Sequence, residues 1–139
     1  MRTFWIGAVA VLVAGGAWWL SDRPDSQPLA ERGQALAIVT IPATLSTEAR
    51  AGQQAFVENC ASCHGTNAEG KAGLAPPLIH KIYEPGHHSD MAFVMAARSG
   101  VRAHHWTFGN MAPVPDVTDA ELAQIIRFVR EVQVANGIM

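Results

Sequence analysis

Hydrophobic and polar positions divide the chain into three stretches of different character. Residues 4–20 run for 17 positions without a charge or strong polar group, with Arg2 before them and Ser21, Asp22, Arg23 and Pro24 closing the run. Residues 21–45 hold Pro24, Pro28 and Pro42 and keep no lasting period. They predict a partly stiff tether with at most one helical turn at residues 29–36. From Ser46 onward a helical period takes over. Ala49, Gly52 and Phe56 recur at one-turn spacing, Ser46 offers an N-cap and Glu48 a first-turn negative charge, so a helix is expected over 47–59. A second helix is predicted over 89–99, with Met91, Val94 and Met95 turned inward and Gly100 as its stop. The clearest element covers 118–135. Leu122, Ile125, Ile126 and Val129 match i, i+3, i+4, i+7, Thr118 and Glu121 form a capping box, and Gly137 ends it. Residues 65–77 and 102–116 are punctuated by glycine and proline and read as loops. No segment alternates convincingly as a strand. The fold class is all-α, with residues 46–139 as the domain and residues 21–45 as its linker.

The apolar N-terminal run has two readings. As a helix it spans roughly 25 Å at about 1.5 Å per residue, slightly short of a bilayer core of about 30 Å. Trp18 and Trp19 at its far end suit a membrane interface, which favours a retained signal-anchor over residues 1–20. The small residues Ala14, Gly15, Gly16 and Ala17 equally suit cleavage of a signal peptide. Either way Arg2 keeps the N-terminal end in the cytoplasm and the rest of the chain is exported. In a bacterium the domain is expected in the periplasm, at the inner membrane or free.

Composition removes some function classes. Charged residues make up 16% and apolar residues 49%, too apolar for a mainly disordered chain. Net charge is −2 and there are only two lysines, Lys71 and Lys81, so no basic patch exists to neutralise phosphates and nucleic acid is not an expected partner. Two cysteines are present, Cys60 and Cys63. C-x-x-C alone reads as half a zinc site, a redox dithiol or a haem attachment. A zinc site needs four ligands, and no second ligand pair of suitable spacing follows. His64 comes next, giving Cys60-Ala61-Ser62-Cys63-His64. Two thiols can each add across a haem vinyl group, and the adjoining imidazole can then reach the iron, so one turn supplies both tether and axial ligand. One haem c is the expected cofactor, with Cys60, Cys63 and His64 binding it.

These motifs, in order, resemble class I (mitochondrial-type) cytochromes c over residues 46–134. Gly52 and Phe56 lie on the first helix, then come the pentapeptide, Ala75-Pro76-Pro77-Leu78, Met111 after a loop, and Phe128 on the last helix. The resemblance implies that the first and last helices cross, with Gly52 meeting the last helix near Ile125 and Phe128. It implies that the Pro76 carbonyl accepts the Nδ1–H of His64 and that Leu78 packs on the haem face. It also implies that Met111, 47 residues after His64, is the second axial ligand. Trp106, Arg98 and Arg102 are candidate partners for the haem propionates. The pairs His87-His88 and His104-His105 depart from the common pattern. They are expected as solvent-facing loop residues, with a second metal such as copper or a substitute axial ligand as the other roles open to them. Neighbouring side chains in extended backbone point to opposite sides, which argues against either pair chelating one ion.

The function implied is electron transfer between periplasmic or membrane-associated redox partners, with no bond chemistry. Two alternatives stay open: a haem enzyme or sensor with a labile sixth ligand, and a subunit through which electrons enter a larger oxidoreductase.

Overall fold

The computed structural model describes residues 31–139, which form one compact unit; the segment read as a signal-anchor lies outside the described residues. Among the described residues there are four α-helices: α1 (Thr47–Asn59), the single turn α2 (Ala61–His64), α3 (Asp90–Ser99) and α4 (Asp119–Ala135), with a 3-10 turn at Lys81–Tyr83. Extended pairing among the described residues is confined to isolated bridges. The all-α expectation is met, and both long loops fall where glycine and proline punctuate the sequence. Among the described residues no helix is long and apolar enough to cross a membrane.

The caps follow from the residue types. At α1 the Ser46 hydroxyl accepts from the Ala49 N–H at 3.1 Å. At α4 the Thr118 hydroxyl accepts from the Glu121 N–H at 3.2 Å, while the Glu121 carboxylate accepts from the Thr118 N–H at 2.8 Å, completing the reciprocal capping box.

The core is chiefly the crossing of α1 and α4. Ala49, Gly52, Ala55 and Phe56 bury one face of α1 against Leu122, Ile125, Ile126, Phe128, Val129 and Val132 of α4. Gly52 sits so near α4 that a Cβ built on it would lie 1.8 Å from the Gln124 carbonyl oxygen. The rings of Phe56 and Phe128, both fully buried, meet beside this contact at 5.6 Å between centroids. A tilted aromatic pair of this kind adds about 0.5–1.5 kcal/mol beyond its area. A second tie clamps the ends of the same two helices: Glu131 accepts the Ser46 N–H at 3.0 Å and pairs with Arg127 at 2.8 Å. These partners outweigh the opposing desolvation and hold the Glu131 carboxyl below its ordinary pKa.

Residues 33–45, read from sequence as tether, run along the domain surface. The Gly33 N–H donates to the Ala72 carbonyl at 2.8 Å and the Ala37 N–H to Glu69 at 3.0 Å. Thr40 exchanges two hydrogen bonds with the Asn136 side chain, at 2.9 and 2.8 Å, and Val39, Ile41 and Leu45 pack on the core. Residues 31–36 form a turn, closed by the Gln34 N–H donating to the Glu31 carbonyl at 3.2 Å, and a bridge, where their backbone pairs with Lys71 and Ala72.

Gly52→Ala should be among the most damaging single-atom additions available to this domain. Backbone, not a flexible side chain, opposes the new methyl, so relief requires α1 and α4 to separate. The expected cost is at least about 3 kcal/mol, a fall in Tm of about 10 °C or more, read by thermal denaturation followed by circular dichroism. A change within 2–3 °C, as order of magnitude for well under 1 kcal/mol, would show that the crossing is not tight.

Candidate haem site

The end of α1 and the turn of α2 deliver the pentapeptide to one wall of a cavity of about 720 Å³, within the range of about 300–1,000 Å³ typical of cofactor sites. Cys60, Cys63, His64, Pro76, Leu78, Trp106 and Met111 all line it, so these seven sequence-predicted site residues are brought to one place. The remaining lining is mainly apolar and includes Phe56, Phe93, Val101, Ile125 and Ile126.

His64 is buried, and its Nδ1 lies 2.9 Å from the Pro76 carbonyl oxygen. A carbonyl only accepts, so Nδ1 carries the proton and Nε2 keeps its lone pair. Burial lowers the His64 pKa, opposed by the Pro76 bond, and the ring is accordingly the neutral donor a metal needs. Burial, with the nearby Cys63 adding to it, pushes the Cys60 thiol up to about 11. Neither cysteine is in a disulfide.

Met111 is placed by a two-bond bridge at the closure of the second loop. Its N–H donates to the Val101 carbonyl and the Val101 N–H donates back, both at 3.0 Å. Gly100 makes this closure possible. It adopts φ +74°, and a Cβ there would stand 2.5 Å from the Met111 carbonyl oxygen. Read from sequence only as a helix stop, Gly100 is also the point of closest approach to the candidate axial methionine.

Trp106 carries the loop's other polar handle. Its ring meets His80 edge-on at 5.2 Å and stacks on Phe108 at 5.7 Å. Its indole N–H is buried against the cavity with no protein acceptor. The Tyr83 hydroxyl is near enough to Trp106 to oppose the rise in pKa that burial gives the tyrosine, but no well-formed hydrogen bond joins them. A buried donor without an acceptor costs about 1–3 kcal/mol. A carboxylate at this edge of the cavity would satisfy it, and haem carries two. The apolar walls, the neutral imidazole and this orphan donor together fit a porphyrin.

Several expectations need correction. Met91 and Met95 are not core residues: Met91 is 63% exposed, and Met95, 54% exposed, faces the cavity. The helix turns Ala97 inward instead, with Phe93 and Val94 against the core. Arg98 and Arg102 are not at the cavity wall. Arg98 is engaged by the start of α4, donating to the Val117 carbonyl at 2.6 Å and pairing with Asp119 at 2.5 Å, while Arg102 is exposed. The histidine pairs do not splay to opposite sides; the two pairs converge on one another at the cavity rim, with ring centroids of His87 and His105 5.3 Å apart.

Sequence reading missed a buried polar latch. Gln133 is fully buried on α4 and donates to the carbonyls of Leu78 and Tyr83, both at 3.0 Å. Arg130, one turn earlier, donates to Tyr83 at 2.7 Å, His88 at 2.5 Å and Gln133 at 2.7 Å, and pairs with Asp90 at 2.8 Å. Its guanidinium also lies 4.9 Å from the centre of the Phe93 ring. This network fixes the 78–90 segment, and with it Leu78 and His88, against the helix. The available signal was a glutamine on the apolar stripe of α4, at i+4 from Val129.

Comparison with known proteins identifies the family of the chain. Residues 49–133 match the cytochrome c family model, and the chain belongs to that family. Membership of that family implies covalently attached haem c as its cofactor. It is 38% identical over 72 residues to the cbb3-type cytochrome c oxidase subunit FixPc of Rhizobium leguminosarum bv. viciae, covering 51% of this chain and 18% of that one. It is 34% identical over 87 residues to the cbb3-type cytochrome c oxidase subunit CcoP of Rhodobacter capsulatus, covering 59% and 28%. The chain thus spans under a third of the length of these relatives. No solved structure matches it significantly.

Gln133→Leu tests the latch. It keeps the volume apolar but strips the Gln133 donor from the half-buried Leu78 carbonyl, one of two donors from the Tyr83 carbonyl, and an acceptor from Arg130. The expected loss is about 2–4 kcal/mol in chemical denaturation. A loss below about 0.5 kcal/mol would mean that water replaces the side chain.

Proposed function

We propose that Cys60 and Cys63 hold the haem through thioethers, that His64 Nε2 and the Met111 sulfur are its axial ligands, and that the protein passes single electrons between membrane-associated or periplasmic redox partners. The observation that carries this reading is the meeting of His64, with Nδ1 committed to Pro76, and Met111, held by its bridge to Val101, on the wall of one apolar cavity.

Haem c supplies the one-electron chemistry. The residues of the chain set its terms. The Pro76 carbonyl orients the His64 ring and makes it a better donor. Met111 is a soft thioether, which favours the reduced metal and raises the potential. Filling the sixth position also leaves no place for a substrate, which favours a carrier over an enzyme or sensor. Leu78 and the other apolar lining exclude water, and Trp106 donates to a propionate.

Partner choice follows from charge. With two lysines and a net charge of −2, the chain does not offer a strong positive docking ring. Lys71 lies at the attachment turn, donating to the Ser62 carbonyl at 2.9 Å. Residues 1–20 tether the domain to the periplasmic face of the inner membrane, raising its concentration near membrane-bound partners. Likeness to oxidase subunits favours a role as the point where electrons enter a larger oxidoreductase, alone or as one of its subunits.

Met111→Ala tests the ligand set. Wild type should show a His/Met signature in absorption and magnetic circular dichroism and bind carbon monoxide little when reduced. The variant should lose the signature, bind carbon monoxide rapidly and titrate at lower potential. An unchanged spectrum would assign the sixth position to another residue.

A further inference from the structure

The four loop histidines form a cluster that electron transfer does not use. His87 and His88 follow the 3-10 turn, His104 and His105 lie in the second loop, and the two segments meet edge to edge. His87 Nε2 and His105 Nε2 are 3.4 Å apart. One nitrogen from each of His87, His88 and His105 lies within 4.8 Å of the others. His104 stacks on His88 at 6.2 Å and meets His105 at 4.2 Å between centroids.

We propose that His87, His88 and His105 form a binding site for one divalent transition-metal ion of the zinc or copper type, at the rim of the haem cavity.

Three observations carry it. The first is spacing. Nitrogens each about 2.0–2.1 Å from a tetrahedral zinc ion stand roughly 3.3–3.4 Å apart, which is the His87–His105 separation, and a His88 nitrogen lies within 4.8 Å of the ligand atoms of both. The second is the tautomer. His88 Nδ1 lies 2.6 Å from the Ile82 carbonyl oxygen, and His104 Nδ1 lies 2.8 Å from that of Arg102. Both nitrogens must donate, so each ring keeps its lone pair on Nε2. A backbone carbonyl behind the ring is the usual support of a metal-bound imidazole. The third is the donor set. The His105 ring centroid lies 5.3 Å from those of both His87 and His88, and imidazole nitrogens suit borderline ions, whereas calcium and magnesium require oxygen ligands.

The place of the site gives it a consequence. His88, His104 and His105 line the same cavity as His64 and Met111. A dication there disfavours the extra positive charge of the oxidised haem, so metal binding raises the reduction potential and, reciprocally, reduction tightens metal binding. The Arg130 latch, which holds the His88 backbone, fixes one side of the site.

Isothermal titration of the tag-free, haem-loaded protein with zinc chloride, after removal of bound metals by a chelator, tests the site. The expected result is one ion per chain, with affinity falling by about tenfold or more in His87→Ala and in His105→Ala. Both residues are exposed, and an unchanged helix signal and Soret band would confirm that the variants fold. No binding, or binding undiminished in both variants, would overturn the proposal. A redox titration with and without zinc reads the coupling, which rests on the haem reading; the calorimetry does not. The potential should rise in wild type and stay fixed in His105→Ala. Binding without a shift would refute the coupling, while the calorimetric result would still stand as support for the site.

Discussion

The domain depends on how closely two helix backbones approach at Gly52. α1 and α4 touch there through main-chain atoms, with no side chain between them, and the remaining core is arranged around that contact. The approach brings Phe56 and Phe128 together and fixes where α1 ends. Since Cys60 caps α1 and His64 lies one turn beyond, the crossing also fixes where a haem is fastened. A shift of the helices by the width of a methyl group would move the attachment turn relative to Met111, which hangs from α3 through Gly100. The frame and the site therefore share one constraint.

Much of this was legible in the sequence, for local reasons. Caps such as Ser46 and the Thr118–Glu121 box act within four residues, and the helix bounds they predict are met. Cys60, Cys63 and His64 declare themselves because thioether attachment needs its groups consecutive. Pro76, Leu78, Met111 and Gly52 were reached through family resemblance; Gly52 meets α4, and the other three line the cavity. What was not legible depended on contacts between segments distant in the chain. The i, i+4 pair of Met91 and Met95 suggested an inward stripe, but α3 has little protein to pack against on that side: one methionine meets solvent and the other the cavity. Arg98 was a fair propionate candidate until Asp119, 21 residues on, proved to be its partner. The polar latch of Arg130 and Gln133 spans 40 to 55 residues and has no local signature. The convergence of the histidine pairs depends on two loops meeting, which no rule for neighbouring side chains could supply.

Burial and polarity are divided between two sides of the cavity. His64 approaches through a rigid turn locked by a short backbone bond. Met111, Trp106, His104 and His105 approach through a longer loop, braced by the Val101–Met111 bridge and by the Asn110 side chain accepting the Ala103 N–H at 3.0 Å. The first side suits permanent attachment. The second carries Met111, the proposed second ligand, with the imidazole cluster at the cavity rim. Under the proposed function, such a division would keep the cofactor fixed while leaving its potential open to adjustment.

The most direct test of the account is mass spectrometry of the tryptic peptide covering residues 51–71, from protein exported by a host that matures c-type cytochromes. The peptide should carry one haem, with Cys60 and Cys63 both resistant to alkylation. Recovery of that peptide without haem, and with both thiols alkylated, would contradict it.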